Sequence, residues 1–143
     1  MTGDQLRVGP LIETSLYADD LAAARQFYTQ VLGLELLAEA EGRHVFFRCG
    51  PAMLLVFNPQ ETSQAGSGVP AHGTVGAGHV AFATSADRLP AWRQHLEAHR
   101  CPLEAEIEWP GGGRSLYFRD PAGNSLELTT PATWGLPERG DPS

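Results

Sequence analysis

Residues 114–128 read Arg114-Ser115-Leu116-Tyr117-Phe118-Arg119-Asp120-Pro121-Ala122-Gly123-Asn124-Ser125-Leu126-Glu127-Leu128. Two alternating apolar–polar runs flank Asp120 to Asn124. Proline presets φ for a turn and glycine supplies positive φ, so the stretch predicts a tight β-hairpin. Successive strand side chains point to opposite faces. Leu126 and Leu128 therefore share one face, and Ser125, Glu127 and Thr129 the other. A carboxylate there is placed to act as a ligand or a base, or simply to face water.

An echo of this stretch lies earlier in the chain. Gly42 to Arg48 matches Gly113 to Arg119 in polarity at every position, with arginine at the same two places. Each copy runs into a Pro/Gly break and then a second apolar strand. Upstream, Ala23-Ala24-Arg25-Gln26 is matched by Ala91-Trp92-Arg93-Gln94. The similar spacing points to a duplicated unit of strand, helix and three strands.

The chain has 143 residues, a length suited to one domain or two small packed modules. Ten basic residues against seventeen acidic give a net charge of −7, without a basic patch, which argues against binding nucleic acid. Two cysteines, Cys49 and Cys101, are too few for a disulfide framework. No apolar run approaches membrane-spanning length and residues 1–10 lack a leader pattern. The expectation is a cytoplasmic protein without a membrane partner.

In order, residues 1–10 are an extension and 11–58 the first βαβββ module. Its strand at 11–18 places Ile12, Thr14, Leu16 and Ala18 on one face and Leu11, Glu13, Ser15 and Tyr17 on the other. Asp19 or Asp20 can cap a helix in which Leu21, Ala24, Phe27, Tyr28, Val31 and Leu32 recur at helical spacing, ended by Gly33. Strands follow at 34–38, 44–49 and 52–57. Residues 59–77 form a Gly/Ser/Pro-rich connector, a linker or a lid. The second module, 78–131, repeats the order with strands at 79–84, 103–108, 114–119 and 124–130 and a helix over 87–100. Residues 132–143 are expected to form a loose tail to which Trp134 offers a docking side chain.

Aligning the repeats superimposes Glu13 on His79, each a polar residue early in an otherwise apolar strand. Glu127 aligns with Leu55. If the modules pack with pseudo-two-fold symmetry, Glu13, His79 and Glu127 converge on a central cleft. Two carboxylates and an imidazole suit a divalent ion with positions open for substrate.

Leu16 to Leu21 before Phe27-Tyr28, Leu32-Gly33-Leu34, Gly78 to Phe82 and Asp120 to Glu127 together resemble the vicinal oxygen chelate superfamily. That group holds glyoxalase I, extradiol dioxygenases, fosfomycin-modifying thiol transferases, an epimerase and bleomycin-binding proteins. The resemblance covers residues 10 to 131. It implies an α+β fold in which tandem βαβββ modules form an open, curled mixed sheet around a central cleft. It also implies a metal (Mn, Fe, Zn or Ni) held by Glu13, His79 and Glu127, and a homodimer in which ligands often come from both chains. Leu55 stands where glyoxalase I and several relatives place a fourth ligand, and Glu13 where many members have histidine.

The expected function is a metal-dependent enzyme of lyase or isomerase type. Its small-molecule substrate would chelate the ion through vicinal oxygens, with Glu127, Glu13 or His72 moving a proton. The alternatives are an extradiol-type ring-cleaving dioxygenase and a metal-free, bleomycin-resistance-like binding protein using Phe46, Tyr117 and Trp109. Plainer roles exist for the same residues. Glu13 could pair with Arg43 or Arg114, His79 could be a satisfied core histidine, and His72 a solvated loop residue. His44, Arg43, Arg114, Tyr117 and Trp109 are further candidates to line the cleft, though paired strand arginines usually form structural salt bridges.

Overall fold

The computed structural model describes residues 6–66 and 68–138. The first unit contains β1 (Glu13–Tyr17), α1 (Leu21–Gln26), β2 (Glu35–Ala40), β3 (His44–Cys49) and β4 (Ala52–Phe57). A short α2 (Pro59–Thr62) opens the connector. The second unit contains β5 (His79–Ala83), α3 (Leu89–Ala98), β6 (Ala105–Glu108), β7 (Arg114–Arg119) and β8 (Ser125–Thr129).

Each unit builds a four-stranded mixed sheet, in the orders β1-β4-β3-β2 and β5-β8-β7-β6. In both, the first strand joins the last in parallel and the other pairs are antiparallel. The registers coincide. Glu13 lies opposite Met53 and Ser15 opposite Leu55, just as His79 lies opposite Ser125 and Ala81 opposite Glu127. The fold is thus the expected α+β arrangement of tandem βαβββ units.

Alternation divides each sheet into two faces. Leu16, Val45, Phe47, Leu54 and Val56 of the first sheet and Leu116, Phe118, Leu126 and Leu128 of the second enter one buried cluster. Tyr28 from the first helical segment and Leu89 and Leu96 from α3 complete it. The opposite faces, which carry Glu13 and Tyr17 or His79 and Glu127, are left for chemistry.

The first helix departs from its simple periodicity. Asp20 caps α1 by accepting from the Ala23 amide at 3.0 Å, but after Gln26 the chain widens into a π-helical turn, Phe27–Val31. The wider turn places Phe27, Tyr28 and Val31 all in buried positions, with Phe27 and Tyr28 edge to face at 5.2 Å. Gly33, at φ 72°, then reverses the chain as expected.

The turn between β7 and β8 does more than close a hairpin. Asp120 Oδ1 accepts from the amides of Ala122 and Asn124, and Oδ2 accepts from the Asn124 side chain. Across the molecule, the Tyr28 hydroxyl donates to Asp120 Oδ2 at 2.7 Å. Asn124 also donates to the Tyr17 carbonyl and accepts from the Gly78 amide. This buried cluster bolts the second unit's turn onto the first unit. Burial, then the charge of Asp120 and its hydrogen bond, push the Tyr28 phenol far above its ordinary range, so it stays a donor.

Two segments outside the repeated units carry local structure. The connector is not wholly irregular: Asn58 caps α2, and the His72 amide donates back to the Thr62 carbonyl at 2.9 Å. The tail, expected to be loose, begins with a closed 3-10 turn, Pro131–Trp134, followed by Gly135 in the left-handed region. Thr133 packs directly on Gly113, where a Cβ would collide with its backbone and hydroxyl. Trp134 itself is exposed. Residues 1–5, 67 and 139–143 lie outside the described residues. Among the described residues both cysteines are free, and no helix is long and apolar enough to cross a membrane.

Candidate functional site

On the outward face of the second sheet, β5 and β8 bring His79 to Glu127. His79 Nδ1 lies 2.8 Å from the Ser125 carbonyl, and its Nε2 lies 3.3 Å from Glu127 Oε1. A carbonyl only accepts, so the ring's proton sits on Nδ1. In the neutral ring, Nε2 then turns a lone pair toward a carboxylate oxygen. Two electron-pair donors so arranged need a proton or a cation between them. The backbone-anchored imidazole with its second nitrogen free is also how metal-binding histidines are oriented. Ligands at about 2.0–2.2 Å from one ion sit about 3.0–3.4 Å apart, which the pair matches. The donor set therefore fits a divalent ion.

Glu127 is only 7% exposed and is held from behind. Ser115 Oγ donates to its Oε2 at 2.6 Å, and Ser115 in turn meets Thr129 at 2.8 Å and the Trp109 indole N–H at 2.9 Å. Tyr117 stands beside the pair, its ring roughly parallel to His79. Burial, and then the Glu127 charge, raise the Tyr117 phenol above its ordinary value.

The first sheet presents a different surface. Glu13 is exposed, and among the described residues it pairs with neither Arg43 nor Arg114. Arg114 instead reaches Glu106, which Arg93 also binds. Leu55 occupies the position of Glu127 and is 8% exposed. Around it gather rings. His44 stacks on Phe46 at 4.0 Å, and Phe57 meets His44, Phe46 and His72 edge-on. His72 is drawn from the connector onto this face, where its Nδ1 meets the Tyr17 hydroxyl at 2.6 Å. Burial, and then the charge of Arg43, lower the His44 pKa, which disfavours the charged ring.

The structure thus brings His79 and Glu127 together and places His72 and His44 on the other sheet. Among the described residues of one chain, no group of three His, Cys, Asp or Glu side chains could hold a metal ion, so Glu13 does not join the pair within a single chain. Ser115, Thr129 and Thr133 were missed by the sequence reading. The period-two pattern, with Ser115 and Tyr117 facing Glu127 and Thr129 across the hairpin, was the available signal.

A tandem βαβββ chain with a histidine–carboxylate pair on paired strands defines a class, and comparison with known proteins names it. Residues 11–128 match the family model described as the Glyoxalase/Bleomycin resistance protein/Dioxygenase superfamily, and the chain belongs to that family. It is similar to the crystal structure of a lactoylglutathione lyase from Agrobacterium tumefaciens, at 45% identity and a TM-score of 0.87, covering 90% of this chain and 98% of that one. A glyoxalase/bleomycin resistance protein/dioxygenase from Nocardioides shares the fold at 23% identity and TM-score 0.71, covering 98% of this chain and 91% of that one. So does the fosfomycin resistance protein FosX from Listeria monocytogenes, at 18% identity and TM-score 0.66, over 87% of this chain and 94% of that one. Among curated proteins, none matches this chain.

Proposed function

We propose that the protein is a divalent-metal-dependent lyase or isomerase acting on a small molecule with oxygens on neighbouring carbons. The observation that carries this reading is the His79–Glu127 pair, whose facing atoms lie 3.3 Å apart with the ring proton committed to Ser125. The likeness to a lactoylglutathione lyase supports the substrate class. A lactoyl thioester carries a hydroxyl next to its carbonyl and so offers two neighbouring oxygens.

In this reading His79 Nε2 and Glu127 Oε1 supply two ligands for Mn, Fe, Zn or Ni. Glu13, which is exposed and among the described residues of one chain joins no such group, would supply the third from a second copy, which makes the working form a homodimer. When bound, the ion would polarise the two substrate oxygens and stabilise negative charge as a C–H proton leaves. Glu127 is the group that would accept and return that proton, with Ser115 donating to its Oε2. Leu55 provides no second carboxylate at the equivalent place, so proton transfer falls on Glu127, with Glu13 and His72 as the remaining candidates.

A metal-free binding protein is the second reading, favoured by the rings of Tyr17, His44, Phe46 and Phe57 gathered on the first sheet. Elemental analysis of protein purified without chelator or affinity nickel separates the two. About one ion per chain in the parent, lost in Glu127→Ala, together with turnover of lactoylglutathione, would establish the enzyme. Oxygen uptake with catechols would redirect it to ring cleavage. A parent that holds no ion and gains none from added Mn(II), Zn(II), Fe(II) or Ni(II) would leave the binding protein.

A further inference from the structure

We propose that Thr133, Thr129, Ser115 and Trp109 form a one-way hydrogen-bond chain that positions the Glu127 carboxylate, which makes the C-terminal turn a working part of the site. This rests on the reading of Glu127 as the working carboxylate.

The direction follows from counting protons. Glu127 as a carboxylate only accepts, so at 2.6 Å the single Ser115 proton points to Oε2. The Trp109 indole only donates, and it takes one Ser115 lone pair at 2.9 Å. The 2.8 Å contact between Ser115 and Thr129 must then run from Thr129 to Ser115. With that proton used, the 2.8 Å contact between Thr129 and Thr133 runs from Thr133 to Thr129. The other acceptor open to Thr129, the Arg114 carbonyl, is farther away at 3.4 Å. Every proton in the chain points toward Glu127, and aligned hydrogen bonds polarise one another.

The chain is sheltered and anchored. Ser115 is 0% and Thr129 8% exposed, which keeps competing water out. Thr133 is fixed by the 3-10 turn, by the left-handed Gly135 behind it and by the bare Cα of Gly113 beneath it. The fold does not itself require these hydroxyls. In the first unit the positions of Ser115 and Thr129 are His44 and Phe57, paired on the same ladder, and the position of Glu127 is Leu55. Hydroxyls occur where a carboxylate needs holding.

Two readouts on Ser115→Ala, Thr133→Val and the hydroxyl-keeping Ser115→Thr and Thr133→Ser test the chain. Mn(II) titration by calorimetry should show affinity about 10–100-fold weaker in Ser115→Ala, less weakened in Thr133→Val, and restored toward the parent in the two conservative variants. Crystal structures of the same variants without metal should show Glu127 in a second conformer in Ser115→Ala and Thr133→Val only. Parental affinity and a parental Glu127 conformer in both truncated variants would overturn the proposal. If the parent and Glu127→Ala alike bind no Mn(II), the metal reading falls, and the Glu127 conformer alone still decides the chain.

Discussion

The two sheets are copies in backbone and opposites in chemistry. One row of the first sheet reads Tyr17, Phe57 and His44, and the same row of the second reads Ala83, Thr129 and Ser115. The next row reads Ser15, Leu55 and Phe46 against Ala81, Glu127 and Tyr117. Ladder hydrogen bonds involve only main chain, and the core needs only the inward face, so the outward face is free to diverge. One copy became a cluster of rings, while the other became a carboxylate held by hydroxyls. Duplication supplied the geometry, and divergence of one face supplied the candidate chemistry.

Making the second sheet like the first should have the largest effect. Glu127→Leu places the first unit's residue at the equivalent position and removes both the acceptor of Ser115 and the partner of His79. On the proposed lyase function, turnover of lactoylglutathione should fall by about 10²–10⁴-fold, the range for loss of a general base. Bound metal should fall with it, while far-ultraviolet circular dichroism stays parental. Undiminished turnover would show that the divergence of the two faces is not where the chemistry lies.

The turns after β3 and β7 sharpen the comparison. The first is Gly50-Pro51 between Cys49 and Ala52, whereas the second is three residues longer, 120–124, and uses Asp120 and Asn124 as its bolts. Asp120 is 5% exposed and accepts from three donors of its own turn besides the Tyr28 hydroxyl. Asp120→Ala strands several buried donors at once and should cost about 3 kcal/mol or more. Tyr28→Phe removes one bond and should cost about 1–2 kcal/mol. Urea unfolding measures both, and equal, small losses would mean that the turn closes a hairpin without joining the units.

That bolt marks the limit of what the residues alone disclosed. The strands of β3, β4 and β7 and the equivalence of Glu13 with His79 were legible because alternation and repeat spacing are local signals. The 120–124 motif was legible as a turn, but its partner, Tyr28, lies 92 residues away in sequence and only the packed chain brings it there. The π-helical turn was hidden because its buried residues also fit an ordinary helical stripe. Likewise the link from Thr133 to Glu127 passes through hydroxyls that, in sequence, look like any polar strand face.

His44, the counterpart of Ser115, gives the ring-bearing face a pH signature. Its unfolded imidazole takes up a proton near the ordinary value of 6.5, and the folded ring does so only at lower pH, because burial and then Arg43 oppose the charge. Between those values the unfolded chain binds more protons, so stability falls as pH drops below about 6.5. His44→Phe should keep the stack on Phe46 and flatten that slope in urea midpoints measured from pH 7.5 to 5. A slope unchanged by the substitution would assign the proton uptake elsewhere.

The smallest expected effect lies where the helical segments end. The first unit leaves its helix through Gly33 at φ 72°, and the second leaves α3 through Arg100 at φ 57°. A side chain in the left-handed region costs about 1–2 kcal/mol. Glycine escapes that cost but loses about 0.5–1 kcal/mol through the added freedom of the unfolded chain. Arg100→Gly should therefore stabilise the protein by about 0.5 kcal/mol, seen as a higher urea midpoint at an unchanged slope. A destabilised variant would mean that the Arg100 side chain holds the second unit's helix end in a way the first unit's glycine never needed.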